Sequence, residues 1–269
     1  MAPLSEVRSE LKLGQRLTAL KNLPPFAPVA AKLMILLSRD DVNFKDAADL
    51  IKADAAIAAE ILRLANSPMS GLRYPPTSVL QMLSVLGIKR VASLTATLSM
   101  GKLVKPVSKL PVMRRIWRHN LATALTAQKW APEYKVDPDS AYLFGLLSGI
   151  GRLGLLVLDP DRYSKVIERA ETDKAPLDVL EEIEFGFTNR DAGAWLVGQW
   201  HLPPEMADIF AENRGSGLND DLVLLIREAA SEASRIGFGI LAAEGSEASE
   251  NAAFDLATRL NQIEQELAI

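Results

Sequence analysis

The stretch LIKADAAIAAEILRLANSPMSGL (residues 50–72), followed by SVLQMLSVLGIKRVASL (residues 78–94), decides the fold class. Ile57, Ile61, Leu62 and Ala65 recur at helical spacing, and Val79, Met82, Leu83 and Leu86 fall at i, i+3, i+4 and i+7. Each set therefore lines one face of an α-helix. Asp54 stands where an N-cap is expected, accepting hydrogen bonds from the free amides of the first turn. Asn66-Ser67-Pro68 reads as a helix stop, because Asn tolerates the left-handed conformation and Pro cannot continue a helix. The same pattern returns outside this stretch at Val29, Leu33, Leu36 and Leu37. The chain holds 36 alanines against 16 aromatic residues in 269 positions, a balance that favours helices over strands. No segment shows strict apolar alternation between hairpin turns. Pro24, Pro25 and Pro28, Pro75 and Pro76, Pro106 and Pro111, Pro132 and Pro138, and Pro203 and Pro204 all fall between periodic segments, so they mark helix boundaries. The expectation is an all-α protein of a dozen or so helices.

Composition narrows the chemistry. The chain has no cysteine and two histidines, His119 and His201. This excludes disulfides, thiolate metal sites and a cysteine nucleophile. An imidazole-rich metal site would need carboxylates for nearly every ligand. The formal charge of −4 argues against a nucleic-acid binder that works by a general positive field. No apolar run is expected to reach the roughly 20 residues of a membrane span, since residues 142–158 are interrupted by Ser148, Gly149, Gly151 and Arg152. The N-terminus lacks the apolar core of a signal peptide, so a cytoplasmic location is expected.

Three segments are expected: an N-terminal helical subdomain over 1–108, a helical bundle over 109–243, and an acidic linker with a C-terminal helix over 244–269. The first boundary rests on VKPVSKLPV (residues 104–112), with its two prolines, and the second on EGSEASE (residues 244–250). The closing helix is amphipathic through Phe254, Leu256, Leu260, Ile263 and Leu267; it either packs back on the body or pairs with a partner.

The order of LPPFAPVAAKLMILL (residues 23–37), the Asp-led helix ending in Leu-Ala-Asn-Ser with its following Leu-Gly turn, WRHNLATA (residues 117–124), YLFGLLSGIGRLGLLVL (residues 142–158) and GAWLVGQWHLP (residues 193–203) resembles the HDOD family, the HD-related output domains of bacterial signalling proteins. The resemblance covers roughly residues 15–240. It implies an N-terminal helical subdomain followed by a bundle related to the metal-dependent HD phosphohydrolases. In those enzymes a His, a His-Asp pair and a later Asp hold metal ions, which polarise a phosphate and generate hydroxide. Carried onto this chain, the first His falls at His119, the His-Asp pair at Ser148 and Gly149, and the last Asp at Ala230, with Glu228 and Glu232 within two residues. Further histidines needed to cut cyclic dinucleotides would fall near Asn189 and Asn213–Arg214. Ser is a poor ligand for a divalent metal and Gly has no side chain, so the resemblance implies a vestigial site.

Several residues carry two readings. His119 is a relic ligand or nucleotide contact, or a histidine satisfied by a nearby carbonyl. His201 is expected to end a helix, where an imidazolium suits the dipole. Ser148-Gly149-Ile150-Gly151 could cradle a phosphate, but no strand precedes it and no Gly-Lys-Ser/Thr follows, so a close helix crossing fits better. Arg152 binds an anionic ligand or pairs with a buried carboxylate. Gly87, Lys89 and Arg90 form a basic turn whose spacing resembles a helix-turn-helix, yet residues 91–100 offer no Arg, Asn, Gln or Lys to base edges, so no DNA binding is expected.

The expected function is a non-enzymatic bacterial regulator that acts through protein partners in a signalling pathway, with no catalytic residues, resident metal or cofactor and no membrane contact. Lacking receiver, GGDEF, EAL or kinase segments, it would take its input from another protein or a ligand. The alternatives are a degenerate metal-dependent phosphohydrolase using His119 with Asp159, Asp161 or Glu228, and a sensor that binds a nucleotide or second messenger at Arg152 and His119 without turnover.

Overall fold

In a computed structural model the described residues are 13–37, 42–67, 72–211, 220–241 and 250–268, without the side chains of 250–252. Among them the protein is 79% helical and contains no strand. The helices are α1 (Pro28–Leu37), α2 (Phe44–Lys52), α3 (Ala55–Ala65), α4 (Val79–Leu86), α5 (Ile88–Val104), α6 (Pro111–Trp130), α7 (Pro138–Leu147), α8 (Ile150–Leu158), α9 (Pro160–Asp173), α10 (Leu177–Phe185), α11 (Asn189–Gln199), α12 (Asp220–Ala233) and α13 (Glu250–Leu267).

Local chemistry sets their ends. Pro28, Pro111, Pro138 and Pro160 open α1, α6, α7 and α9, where a missing amide proton costs nothing. Asp54 caps α3 by accepting from Ile57 N at 3.0 Å. Thr188 and Asp191 form a reciprocal capping box at the start of α11. Asn66 ends α3, but not in the expected left-handed conformation. Its φ is −93°, and its side chain donates to Pro76 O at 3.2 Å, so a tertiary bond replaces the local one. Pro68 lies outside the described residues. Pro203 and Pro204 lead into a short 3-10 turn, Pro204–Ile209, rather than an α-helix. His201 sits just past α11 with φ +53°, reversing the chain at the helix end.

The core has two main parts. The smaller joins Leu33, Ile51, Ile61, Leu64, Met82 and Leu83 of α1–α4 with Val91 and Leu98 of α5. The larger is built on α6–α11 and takes in Met100 and Leu103 of α5. One helix thus serves both, and the division of the core does not fall at the 108/109 loop. Residues before α1 belong to the larger core as well: Phe26 stacks on Trp200 with centroids 5.7 Å apart. At Gly87, with φ +80°, the chain turns by 113° between α4 and α5. Lys89 and Arg90 after this turn pair with Asp137 and Asp139 at the start of α7. Every residue from Val91 to Gly101 is buried, so α5 has no face to present to a DNA groove.

One expectation needs correction. Helices α7 and α8 run on across the Ser148-Gly149 turn as a 21-residue stretch, Pro138–Leu158, long and apolar enough by length and composition to cross a bilayer. Most of it is buried inside the protein, with α7 against α6 and α8 against α11, which is the setting of a core helix. Helix α13 packs back on α6. Leu260 and Ile263 are buried, and Glu264 meets Arg114 and Arg118, whereas Phe254 stays 75% exposed. The acidic segment before it lies outside the described residues.

Candidate functional site

The fold brings His119, Ser148, Gly149, Arg152 and Ala230 to one cleft of about 330 Å³. His119 and Asn120 come from α6, Ser148 and Gly149 from the α7–α8 turn, Arg152 from α8, and Asn189 and Arg190 from the start of α11. Ile226, Arg227 and Ala230 of α12 close the far wall, with Ile209 and Phe210 beside them.

Small residues make the convergence possible. A Cβ on Gly151 would lie 1.8 Å from the carbonyl oxygen of Asn189, and one on Gly145 would lie 2.8 Å from Cα of Ala124. A Cβ on Gly149 would lie 1.9 Å from Oδ1 of Asn120. Ser148-Gly149-Ile150-Gly151 is therefore a close helix crossing, in which backbone meets backbone. The Asn120 carboxamide takes the space that a side chain at position 149 would fill.

Arg152 has a buried carboxylate as its partner. Its Nε lies 3.9 Å from Oε1 of Glu181, whose side chain is fully buried. Glu181 accepts from Tyr163 Oη at 2.6 Å on one oxygen. On the other it accepts from the Asn189 backbone N at 2.7 Å and Nδ2 at 2.8 Å. Burial, and then the Glu181 charge, push the Tyr163 hydroxyl well above its usual range, with Arg152 opposing; Tyr163 therefore stays protonated and donates. Of the two readings of Arg152 the pairing is present, yet the side chain keeps 26% exposure and still lines the cleft.

His119 Nδ1 lies 3.0 Å from Phe238 O. A carbonyl only accepts, so Nδ1 carries the proton of the neutral ring. Desolvation, then the Arg152 charge, lower its pKa from 6.5 to about 4, with the Phe238 bond opposing.

The residues present do not fit a divalent metal. His119 could offer only Nε2. Ser148 Oγ donates to Gly145 O at 2.7 Å, and Gly149 and Ala230 have no donor atom. Of the carboxylates that might have compensated, Asp159 caps α9, Glu228 accepts from Tyr134, Glu232 pairs with Arg235, and Asp161 sits in the first turn of α9, outside the cleft lining. Among the described residues no three His, Cys, Asp or Glu side chains are grouped as metal ligands. Asn213 and Arg214 lie outside the described residues.

Sequence reading missed Glu181, Tyr163 and Asn120. Glu181 sits among Glu182 and Glu184 with nothing local to distinguish it. Asn120 did carry a signal. It lies three residues after Trp117 and four before Ala124, both fully buried, so a polar side chain occupies a core-facing position.

Comparison with known proteins bears on this geometry. The HDOD domain model matches residues 23–215. An uncharacterized protein of Treponema pallidum (strain Nichols) is 22% identical over 185 residues, which cover 68% of this chain and 36% of the relative; the chain thus spans about a third of that protein. Among solved structures, an HDOD domain protein of unknown function from Geobacter sulfurreducens has a TM-score of 0.72 at 21% identity, covering 95% of this chain and 89% of its own. A candidate signal-transduction protein from Marinobacter aquaeolei VT8 gives 0.69 at 21% identity, covering 92% and 60%. A candidate phosphohydrolase from Shewanella amazonensis SB2B gives 0.67 at 20% identity, covering 95% and 93%. At these identities the three structures speak to the fold alone.

Proposed function

The chain belongs to the HDOD family, and from that premise we propose that it is a non-catalytic bacterial regulatory protein acting in the cytoplasm through contact with protein partners in a signalling pathway. One observation carries the reading. At the position that the resemblance assigns to the HD metal ligands, this cleft offers a single imidazole, an asparagine filling the space over Gly149, and the cation Arg152. A fixed positive charge disfavours a divalent cation, and without the metal the hydroxide and the phosphate polarisation have no source. The signal-transduction description of the Marinobacter protein is consistent with this role.

A second reading, a degenerate metal-dependent phosphohydrolase, is favoured by the retained His119 and by the description of the Shewanella protein. Elemental analysis of protein purified without chelator separates the two. The regulatory reading expects no stoichiometric metal and no hydrolysis of phosphate esters in added Mn²⁺. Stoichiometric Mn, Fe, Ni or Zn that disappears in His119→Ala would overturn it.

A further inference from the structure

We propose that the cleft is an anion site that binds the phosphate group of a small phosphate monoester of about nucleotide size, with Arg152 and Asn120 as its central donors. The claim concerns binding without turnover, goes beyond the regulatory reading, and survives if that reading fails.

Charge is the first observation. The chain is net negative, yet among the described residues the cleft lining holds Arg152, Arg190 and Arg227 and no carboxylate. Glu181, which balances Arg152, is fully buried. The three guanidinium groups enter from α8, α11 and α12, so the fold concentrates positive charge from three distant parts of the chain in one concavity. Guanidinium forks match a tetrahedral dianion better than they match water or a neutral ligand.

An unmet donor is the second, independent observation. Asn120 is 1% exposed, and its Nδ2 has no hydrogen-bond partner among the described residues; Nε of Arg152 makes no hydrogen bond there either, but it faces Glu181 at 3.9 Å. A buried donor left unpaired costs about 1–3 kcal/mol, and most such groups in folded proteins find an acceptor. Nδ2 is a donor, so the group it lacks is an acceptor oxygen. A phosphate entering the cleft beside the Asn120 carboxamide would supply that acceptor.

The third observation is shape. The volume of about 330 Å³ lies near the lower end for small-molecule pockets and exceeds what a bare phosphate needs. Ile209, Phe210 and Ile226 give the side near α12 an apolar surface. A ligand with an anionic head and a flat organic body matches both ends.

Calorimetric titration of the full chain at low ionic strength tests the proposal, with inorganic phosphate, adenosine monophosphate and adenosine as probes. Phosphate and adenosine monophosphate are expected to bind and adenosine is not. Tenfold tighter binding of the monophosphate than of phosphate assigns the site to an ester; equal binding assigns it to the free anion. Arg152→Lys keeps the charge facing Glu181 but loses the fork, and Asn120→Asp keeps the shape while replacing a donor with an anion. Each is expected to weaken phosphate binding at least tenfold. Should either fail to fold, Arg227→Gln on the exposed rim is expected to weaken it severalfold. No heat from phosphate or adenosine monophosphate at 10 mM overturns the proposal, as do adenosine binding as tightly as its monophosphate and affinity unchanged in the folded variants.

Discussion

Replacing Gly151 by Ala adds one methyl group and should cost the protein about 3 kcal/mol. The added Cβ would stand 1.8 Å from the Asn189 carbonyl oxygen and 2.9 Å from the Gly193 amide nitrogen. Ordinary contact begins at 3.4 Å, so α8 and α11 would have to part by about 1.6 Å. Both opposing atoms are backbone, and no rotamer change relieves them. Overpacking typically costs about 1–3 kcal/mol and occasionally more, and a backbone clash belongs at the top of that range. The same displacement would pull Asn189 from the two hydrogen bonds it gives Glu181. For a chain of this size 1 kcal/mol moves the melting temperature by about 2–4 °C, so a drop of about 6–12 °C is expected. Gly198 is the internal control. It lies on the same helix α11, and a Cβ there meets nothing within 4 Å. Gly198→Ala should therefore stabilise by about 0.5–1 kcal/mol through helix propensity. Thermal and urea unfolding followed by circular dichroism read both. A Gly151→Ala protein within about 0.5 kcal/mol of the parent, or a Gly198→Ala protein equally damaged, would refute the close crossing.

Two further predictions concern the same region. His119 has a folded pKa of about 4 against 6.5 for the free side chain, so between these values the unfolded chain binds a proton that the folded protein does not. Its contribution to stability is therefore intact above about pH 6.5 and falls as the pH drops toward 4, by about 2 kcal/mol on going from pH 7.5 to pH 5. Urea midpoints should show that loss in the parent and a shallower slope in His119→Gln; parallel slopes would contradict it. Tyr163→Phe removes the 2.6 Å hydrogen bond to Glu181 and should cost about 2 kcal/mol, as for a buried bond to a charged group, with an unchanged urea m-value; no loss would mean that the Glu181 network is satisfied without it.

Much of the fold was readable because helix formation is local. The spacing of Val79, Met82, Leu83 and Leu86 predicts α4, and Met82 and Leu83 are fully buried there. Asp54 caps α3 as its position implies, and the prolines at 28, 111 and 138 open helices. The expectation at Asn66 failed because its carboxamide had a distant partner, Pro76 O, that the surrounding sequence does not reveal. Residues 142–158 read as a run too interrupted to be long, yet Ser148 and Gly149 form a tight turn that lets two helices continue as one stretch.

The sequence by itself determined that this is an all-helical HDOD protein, and it marked several helix ends, among them the starts at Pro28, Asp54, Pro111 and Pro138. These depend on side-chain periodicity, backbone propensity and motif order, which act over a few residues or survive in their sequence. Only the tertiary structure decided what the cleft contains. Glu181 is chosen from a run of alike acids because the phase of α10 and the approach of α11 bury it beneath Arg152. Asn120 occupies the space over Gly149 because α6 crosses the α7–α8 turn there. Arg152, Arg190 and Arg227 line one cleft because three separate helices meet. Such contacts join residues tens of positions apart, and their energies depend on distance and burial, which the order of residues does not specify.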